Sequence, residues 1–112
     1  MTMYGIINLE ITDNNKHVIG QYENSKYIYS YSGSIINNGS SSVKIKLYIQ
    51  TDTNGQTETP ITIPSGTVVR FINLKFKSVQ SMTSSPDIYI IATQVLREIN
   101  EGLKEIAEIF YE

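Results

Sequence analysis

Between Ser42 and Gln50 the chain alternates strictly. Val43, Ile45, Leu47 and Ile49 fall on one side, and Lys44, Lys46, Tyr48 and Gln50 on the other. A period of two is the repeat of extended backbone, whose successive side chains point to opposite faces, and it does not fit a helix. This segment reads as a strand with one buried and one wet face. The pattern recurs along the chain. Met3–Ile11 sets Ile7, Leu9 and Ile11 against Asn8 and Glu10, and Lys26–Ser32 sets Tyr27, Tyr29 and Tyr31 against Ile28. Lys16–Tyr22, Pro60–Ile63, Thr67–Val79 and Asp87–Ala92 read as further strands. Thr67–Val79 carries two registers, Val68-Ile72-Leu74-Phe76 and Val69-Phe71, so either both of its faces are covered or a bulge intervenes. Asp87–Ala92 is apolar on both faces and reads as a central strand.

Turn residues separate these segments: Asp13-Asn14-Asn15, Glu23-Asn24-Ser25, Asn37-Asn38-Gly39-Ser40, Pro64-Ser65-Gly66 and the Ser-rich Ser81–Pro86. Asp and Asn bond their own backbone, and Asn-Gly suits the positive φ angles of a type I′ hairpin turn. Gly33 allows a kink or bulge before Ile35, and Thr51–Thr59 reads as a polar loop around Asn54-Gly55. About eight short strands with turns at such spacing predict an all-β fold. The expected form is an antiparallel β-sandwich, jelly-roll or Ig-like. Composition agrees, with 18 Ile and 8 Tyr but 2 Ala. β-branched and aromatic side chains suit a pleated surface, and the best helix former is scarce.

The last twenty residues follow another period. Leu96, Ile99, Leu103, Ile106 and Phe110 are spaced 3, 4, 3 and 4, an a/d seam, with Val95, Ala107 and Ile109 widening it. Glu98, Glu101, Lys104, Glu105 and Glu108 fall outside the seam, Gly102 lies within the pattern, and Thr93 can serve as N-cap. The spacing predicts a β-sandwich domain over 1–92 and one C-terminal amphipathic α-helix over 93–112. Two heptads are too short to hold a coiled coil alone, so the helix is expected on its own sheet or in an oligomer interface. Residues 1–92 hold seven basic and six acidic groups, and residues 93–112 hold two and five, so the tail is the acidic part.

Chemistry is sparse. The chain of 112 residues has no Cys and 1 His, which excludes disulfides, thiolate sites, cysteine nucleophiles and multi-His zinc sites within one chain. A net charge of −2 argues against a phosphate-backbone binder. No apolar run approaches the roughly 18–20 residues of a membrane span. The N-terminus lacks the basic n-region of a signal peptide. No G-x-S-x-G, P-loop or dinucleotide fingerprint is present. His17 has no neighbouring acid in a recognised pattern and reads as structural or exposed, not catalytic. Asp13, Asp52 and Asp87 fall in turns or at strand starts, where carboxylates bond backbone amides. Asp52-Thr53-Asn54-Gly55 resembles the first half of a calcium loop but lacks its terminal Glu, so it reads as a loop. No enzyme activity, metal or cofactor is expected.

What remains is surface. Tyr27, Tyr29 and Tyr31 share one side of a strand, with Tyr22 and Tyr48 as possible extensions. The stripe reads as core, as a cross-strand ladder, as a protein interface or as a stacking surface for sugars or bases. Lys44 and Lys46 share one strand face, as do Lys75 and Lys77. Neighbouring placement would make a modest basic stripe. The candidate interface is therefore Tyr27, Tyr29, Tyr31, Tyr48, Leu96, Ile99, Leu103, Ile106 and Phe110.

Three segments carry a resemblance: Ile36-Asn37-Asn38-Gly39-Ser40-Ser41-Ser42-Val43-Lys44-Ile45, then Thr62-Ile63-Pro64-Ser65-Gly66-Thr67-Val68-Val69, then Ile88-Tyr89-Ile90-Ile91-Ala92. Their order over residues 35–92 is similar to that in small β-sandwich structural proteins of tailed phages and archaeal viruses. The resemblance implies a viral structural protein, such as a virion decoration, neck or fibre-base component, assembled in the host cytoplasm. Its partners would be copies of itself, a trimer slightly favoured over a dimer, and other virion proteins. The alternative is a carbohydrate- or single-stranded-nucleic-acid-binding β module built on the tyrosines with Lys44 and Lys46.

Overall fold

The computed structural model describes residues 3–19, 27–50, 56–98 and 108–111. Among the described residues are nine strands and no helix: β1 Met3–Ile11, β2 Lys16–Val18, β3 Tyr27–Asn37, β4 Val43–Gln50, β5 Gln56–Ile63, β6 Val68–Leu74, β7 Phe76–Ser81, β8 Ile88–Glu98 and β9 Glu108–Tyr111. They form two antiparallel sheets, in the orders β1-β8-β3-β6-β9 and β2-β7-β4-β5. The first eight strands pair by nesting: β1 with β8, β2 with β7, β3 with β6, β4 with β5. A two-stranded ribbon folded at its middle and rolled up gives this order, the winding of a jelly roll. An Ig-like sandwich would pair its first two strands, and β1 and β2 lie in different sheets.

The inner faces meet in one core. Ile11, Tyr31, Ile35, Val69, Phe71, Leu74, Ile88 and Ile90 come from the five-stranded sheet, and Val43, Ile45, Leu47, Ile61, Ile63, Phe76 and Val79 from the four-stranded one. Phe76 joins the layers. Its ring stands edge-on to Tyr31 at 6.4 Å and to Phe71 at 5.7 Å, the geometry that aromatic quadrupoles favour. The alternation holds from Val43 to Leu47, with Val43, Ile45 and Leu47 inside and Lys44 outside, and is corrected beyond it: the register against β7 shifts between Tyr48 and Ile49, and Tyr48 and Gln50, expected on the wet face, are buried while Ile49 is only partly so.

Several expectations are corrected. Asn37–Ser40 is not a hairpin turn, because β3 and β4 lie in different sheets and the loop crosses between them. Thr67–Val79 is not one strand. Asn73 takes φ 52°, a left-handed conformation that Asn tolerates, and the chain passes there from β6 into β7 of the other sheet. That break explains the two registers, with Val69, Phe71 and Leu74 inside. The loop expected over Thr51–Thr59 gives way to β5 from Gln56 onward, and the calcium-like residues 52–55 lie outside the described residues. The expected second strand is β2 over Lys16–Val18, and Tyr22 lies outside the described residues.

The C-terminal helix is also corrected. β8 runs through Thr93 to Glu98 without a break at the expected division after residue 92, and Glu108–Tyr111 is β9 on the edge of β6. Thr93 is no N-cap. It pairs with Ile6 on one side and Ser32 on the other. The two flanking strands offer backbone partners along both edges of residues 93–98, and this non-local pairing overrides a local spacing of modest strength. Residues 99–107, with Ile99, Gly102, Leu103 and Ile106, lie outside the described residues.

Gly33 behaves as its position suggested. The register of β3 against β6 shifts between Tyr31 and Gly33. A Cβ at Gly33 would stand 2.1 Å from the Ile91 carbonyl oxygen. Only glycine permits that approach of β3 to β8.

Candidate assembly surface

The tyrosines divide among several environments. Tyr31 is in the core at 0% exposure, so the core is the alternative it takes. Its hydroxyl donates to the Ile19 carbonyl at 3.1 Å and accepts from Gln94 Nε2 at 3.1 Å, while burial pushes its pKa up to about 12. Tyr29 is half-buried, its ring 6.2 Å from that of Tyr31. Tyr48 is buried on the outer side of the four-stranded sheet. Lys16 Nζ sits 3.9 Å above its ring, and its hydroxyl donates to Gln80 Oε1 at 3.1 Å. Tyr27, Leu96 and Phe110 are placed by backbone alone: Tyr27 pairs with Glu98, Leu96 with Met3 and Tyr29, Phe110 with Arg70.

The lysines do not form the stripe that four strand positions suggested. β4 and β7 are neighbours, as it required, but Lys75 lies in the link between β6 and β7. It is buried, with Nζ donating to the Asn73 carbonyl at 3.3 Å. Lys46 stands 3.7 Å from Glu58. Lys44 and Lys77 are exposed.

His17 has an acid neighbour after all. Its Nε2 is 2.8 Å from Asp13 Oδ1, across the turn between β1 and β2. That contact, then the Asn15 amide on the same oxygen, holds the Asp13 carboxyl below its ordinary range. The turn role assigned to Asp13 and this pairing are thus one arrangement. A recess of about 190 Å³ lies between Gly39–Val43 and Thr83–Asp87. Several polar groups around it are engaged locally: Ser81 Oγ donates to the Thr83 carbonyl, and Thr83 Oγ1 accepts from the Lys44 amide.

The surface that sequence reading missed is the outer face of the five-stranded sheet. Register sets its outward residues in rows: Ile6, Thr93, Ser32; then Asn8, Ile91, Ser34, Arg70; then Glu10, Tyr89, Ile36, Val68. Ile6 is 74% exposed, Ile91 42% and Ile72, on β6, 38%. Tyr89 donates to Asn8 Oδ1 at 3.0 Å, tying two strands of the face together. A signal for this face was available. Ile6-Ile7, Ile35-Ile36 and Ile90-Ile91 are doublets on three adjoining strands, and consecutive residues of a strand point to opposite faces. Each doublet therefore places one isoleucine in the core and one outside. Ile6 and Ile91 are thus exposed on adjoining strands, set among the polar Asn8, Thr93 and Ser34.

No family model matches the chain, and no curated protein matches it. Among solved structures it is similar to a chain from work on Bacillus endospore appendages, which form a family of disulfide-linked pili. The TM-score is 0.56 at 15% identity, covering 88% of each chain. At that identity the likeness is one of fold. The neighbour is an appendage chain and not a phage or archaeal-virus protein. The present chain has no Cys, so disulfide linkage is closed to it.

Proposed function

We propose that this protein is a structural subunit that acts by self-assembly and not by catalysis, as a building block of a virion or of a surface appendage. The observation that carries the reading is the outward isoleucine face of the five-stranded sheet, with Ile6 at 74% exposure. Leaving such side chains in water is unfavourable by roughly 25 cal/mol per Å² of apolar surface, and covering them with another subunit removes that cost. The fold likeness to an appendage chain supports the same direction. Without cysteine, subunits of this chain cannot be joined by disulfides.

The finer reading, a decoration, neck or fibre-base protein assembled in the host cytoplasm, rests on the resemblance in residues 35–92. The binding-module alternative has less support, since Tyr31 is in the core and Tyr48 lies beneath Lys16. The experiment is size-exclusion chromatography with light scattering over a concentration series. Concentration-dependent oligomers are expected. A monomer at high micromolar concentration overturns the reading, and salt-sensitive binding of a single-stranded oligonucleotide would move support to the alternative.

A further inference from the structure

We propose that Asn38 is a deamidation site that the fold holds shut, by bonding the backbone amide that would have to attack it. The proposal does not depend on the self-assembly reading. Asparagine followed by glycine is the dipeptide that loses its side-chain amide most readily, because glycine has no Cβ to hinder the approach of its own nitrogen. The chain has two such pairs, Asn38-Gly39 and Asn54-Gly55. Asn38 is exposed, so hydroxide and water reach it.

The reaction makes a definite demand on the backbone. The Gly39 amide gives up its proton to hydroxide, its nitrogen attacks Asn38 Cγ, and a cyclic succinimide closes. The bond from Cγ to the side-chain nitrogen breaks, and that nitrogen takes a proton from water and leaves as ammonia. A water molecule then opens the ring, giving aspartate through one carbonyl and isoaspartate through the other. Water enters, ammonia departs, and nothing is oxidised or reduced. The Gly39 N–H must therefore leave its acceptor and turn towards the Asn38 side chain.

Three contacts oppose that turn. The Gly39 amide donates to Asn37 Oδ1 at 2.9 Å. Asn37 cannot follow it, being wholly buried with its Nδ2 on the Ser41 and Ile63 carbonyls. The Asn38 amide donates to the Asp87 carbonyl at 2.9 Å, and the Gly39 carbonyl accepts from Ser65 Oγ at 2.6 Å. The peptide unit between Asn38 and Gly39 is thus pinned before, at and after the attacking nitrogen, by groups from three separate parts of the chain. Conversion at Asn38 then reports local opening of the loop that crosses from β3 to β4.

Peptide mapping by mass spectrometry reads the conversion at each asparagine. The unaltered protein is held at mildly alkaline pH, folded in one sample and unfolded in urea in another. Asn38 is expected to convert far more slowly in the folded sample. Ser65→Ala removes one pin from an exposed position. It is expected to speed conversion at Asn38 about two- to tenfold, the worth of one hydrogen bond, with circular dichroism unchanged. Asn37→Ala is expected to speed it further, beyond the unfolded fraction that a urea titration gives for that variant. Asn54 in the same samples reports any change common to the whole chain. Equal rates at Asn38 in the folded and unfolded samples overturn the proposal. So does a slow folded rate that neither Ser65→Ala nor Asn37→Ala changes relative to Asn54, because these bonds would then not be what protects Asn38.

Discussion

The side-chain amide of Asn37 on β3 donates to the backbone carbonyl of Ile63 at the end of β5, at 2.9 Å, so a residue of one sheet closes a strand of the other. The same nitrogen donates to the Ser41 carbonyl at 2.9 Å, and Oδ1 accepts from the Gly39 amide at 2.9 Å. Asn37 is wholly buried, and its side chain serves the loop that crosses from β3 to β4.

Asn37→Ala would leave two carbonyls and one amide without these partners. A buried group stripped of its hydrogen bond costs about 1–3 kcal/mol, and solvent will reach some of these groups once the side chain is gone. A loss of about 2–4 kcal/mol is expected in urea unfolding. Asn37→Asp should do no better, because it replaces the donor by an acceptor facing two carbonyls.

Tyr31 contributes to stability at alkaline pH. Its pKa of about 12 lies above the ordinary tyrosine value, because burial favours the neutral hydroxyl. A raised folded-state value means stability is intact below the unfolded value near ~10 and falls as pH rises towards the folded one. Denaturation midpoints should therefore drop between about pH 10 and 12. Tyr31→Phe should flatten part of that drop, while costing about 1–2 kcal/mol at neutral pH for its two hydrogen bonds.

Gly33→Ala drives a methyl against the Ile91 carbonyl and the Ala92 Cα, the latter at 2.5 Å. Both obstacles are backbone of a central strand, so β3 must move. The expected loss is about 3 kcal/mol or more, read as a lower thermal midpoint. A stability equal to the parent would mean that β3 does not approach β8 as described.

Acid acts through Asp13. His17 and the Asn15 amide lower its pKa, so the contact contributes above the ordinary carboxylate value and is lost as pH falls through the depressed one. His17→Ala should bring the Asp13 titration, followed by NMR, back towards its ordinary position.

Hydrogen exchange distinguishes strand from helix in the tail. β8 pairs with β1 and β3 along both edges, so amides of Ile90–Gln94 should exchange among the slowest in the protein. Protection continuing through Val95 and Leu96 at the same level would follow from the strand. Helical minima in far-UV circular dichroism removed by deleting residues 93–98 would contradict it.

Strand content was legible because side-chain alternation is a local consequence of extended backbone. Val43 to Leu47 shows it, and the Pro64-Ser65-Gly66 turn, with the Thr67 amide on the Pro64 carbonyl at 3.2 Å, needed nothing beyond its own residues. The outward isoleucines were legible too, in the doublets Ile6-Ile7, Ile35-Ile36 and Ile90-Ile91, once those residues are known to be strands. Partner choice was not legible. Whether Asn37-Asn38-Gly39 turns back on itself or crosses to another sheet depends on Ile63, 26 residues away. Whether Tyr31 is core or surface depends on Phe76 and Gln94. The tail shows the limit most clearly. The spacing of Leu96 and Phe110 suits a helix stripe, yet residues 93–98 pair with β1 and β3, and Glu108–Tyr111 pairs with β6. Local sequence determined which segments could extend. Long-range pairing decided where each one lies, because the backbone hydrogen bonds and the buried faces that settle it belong to strands far apart in the chain.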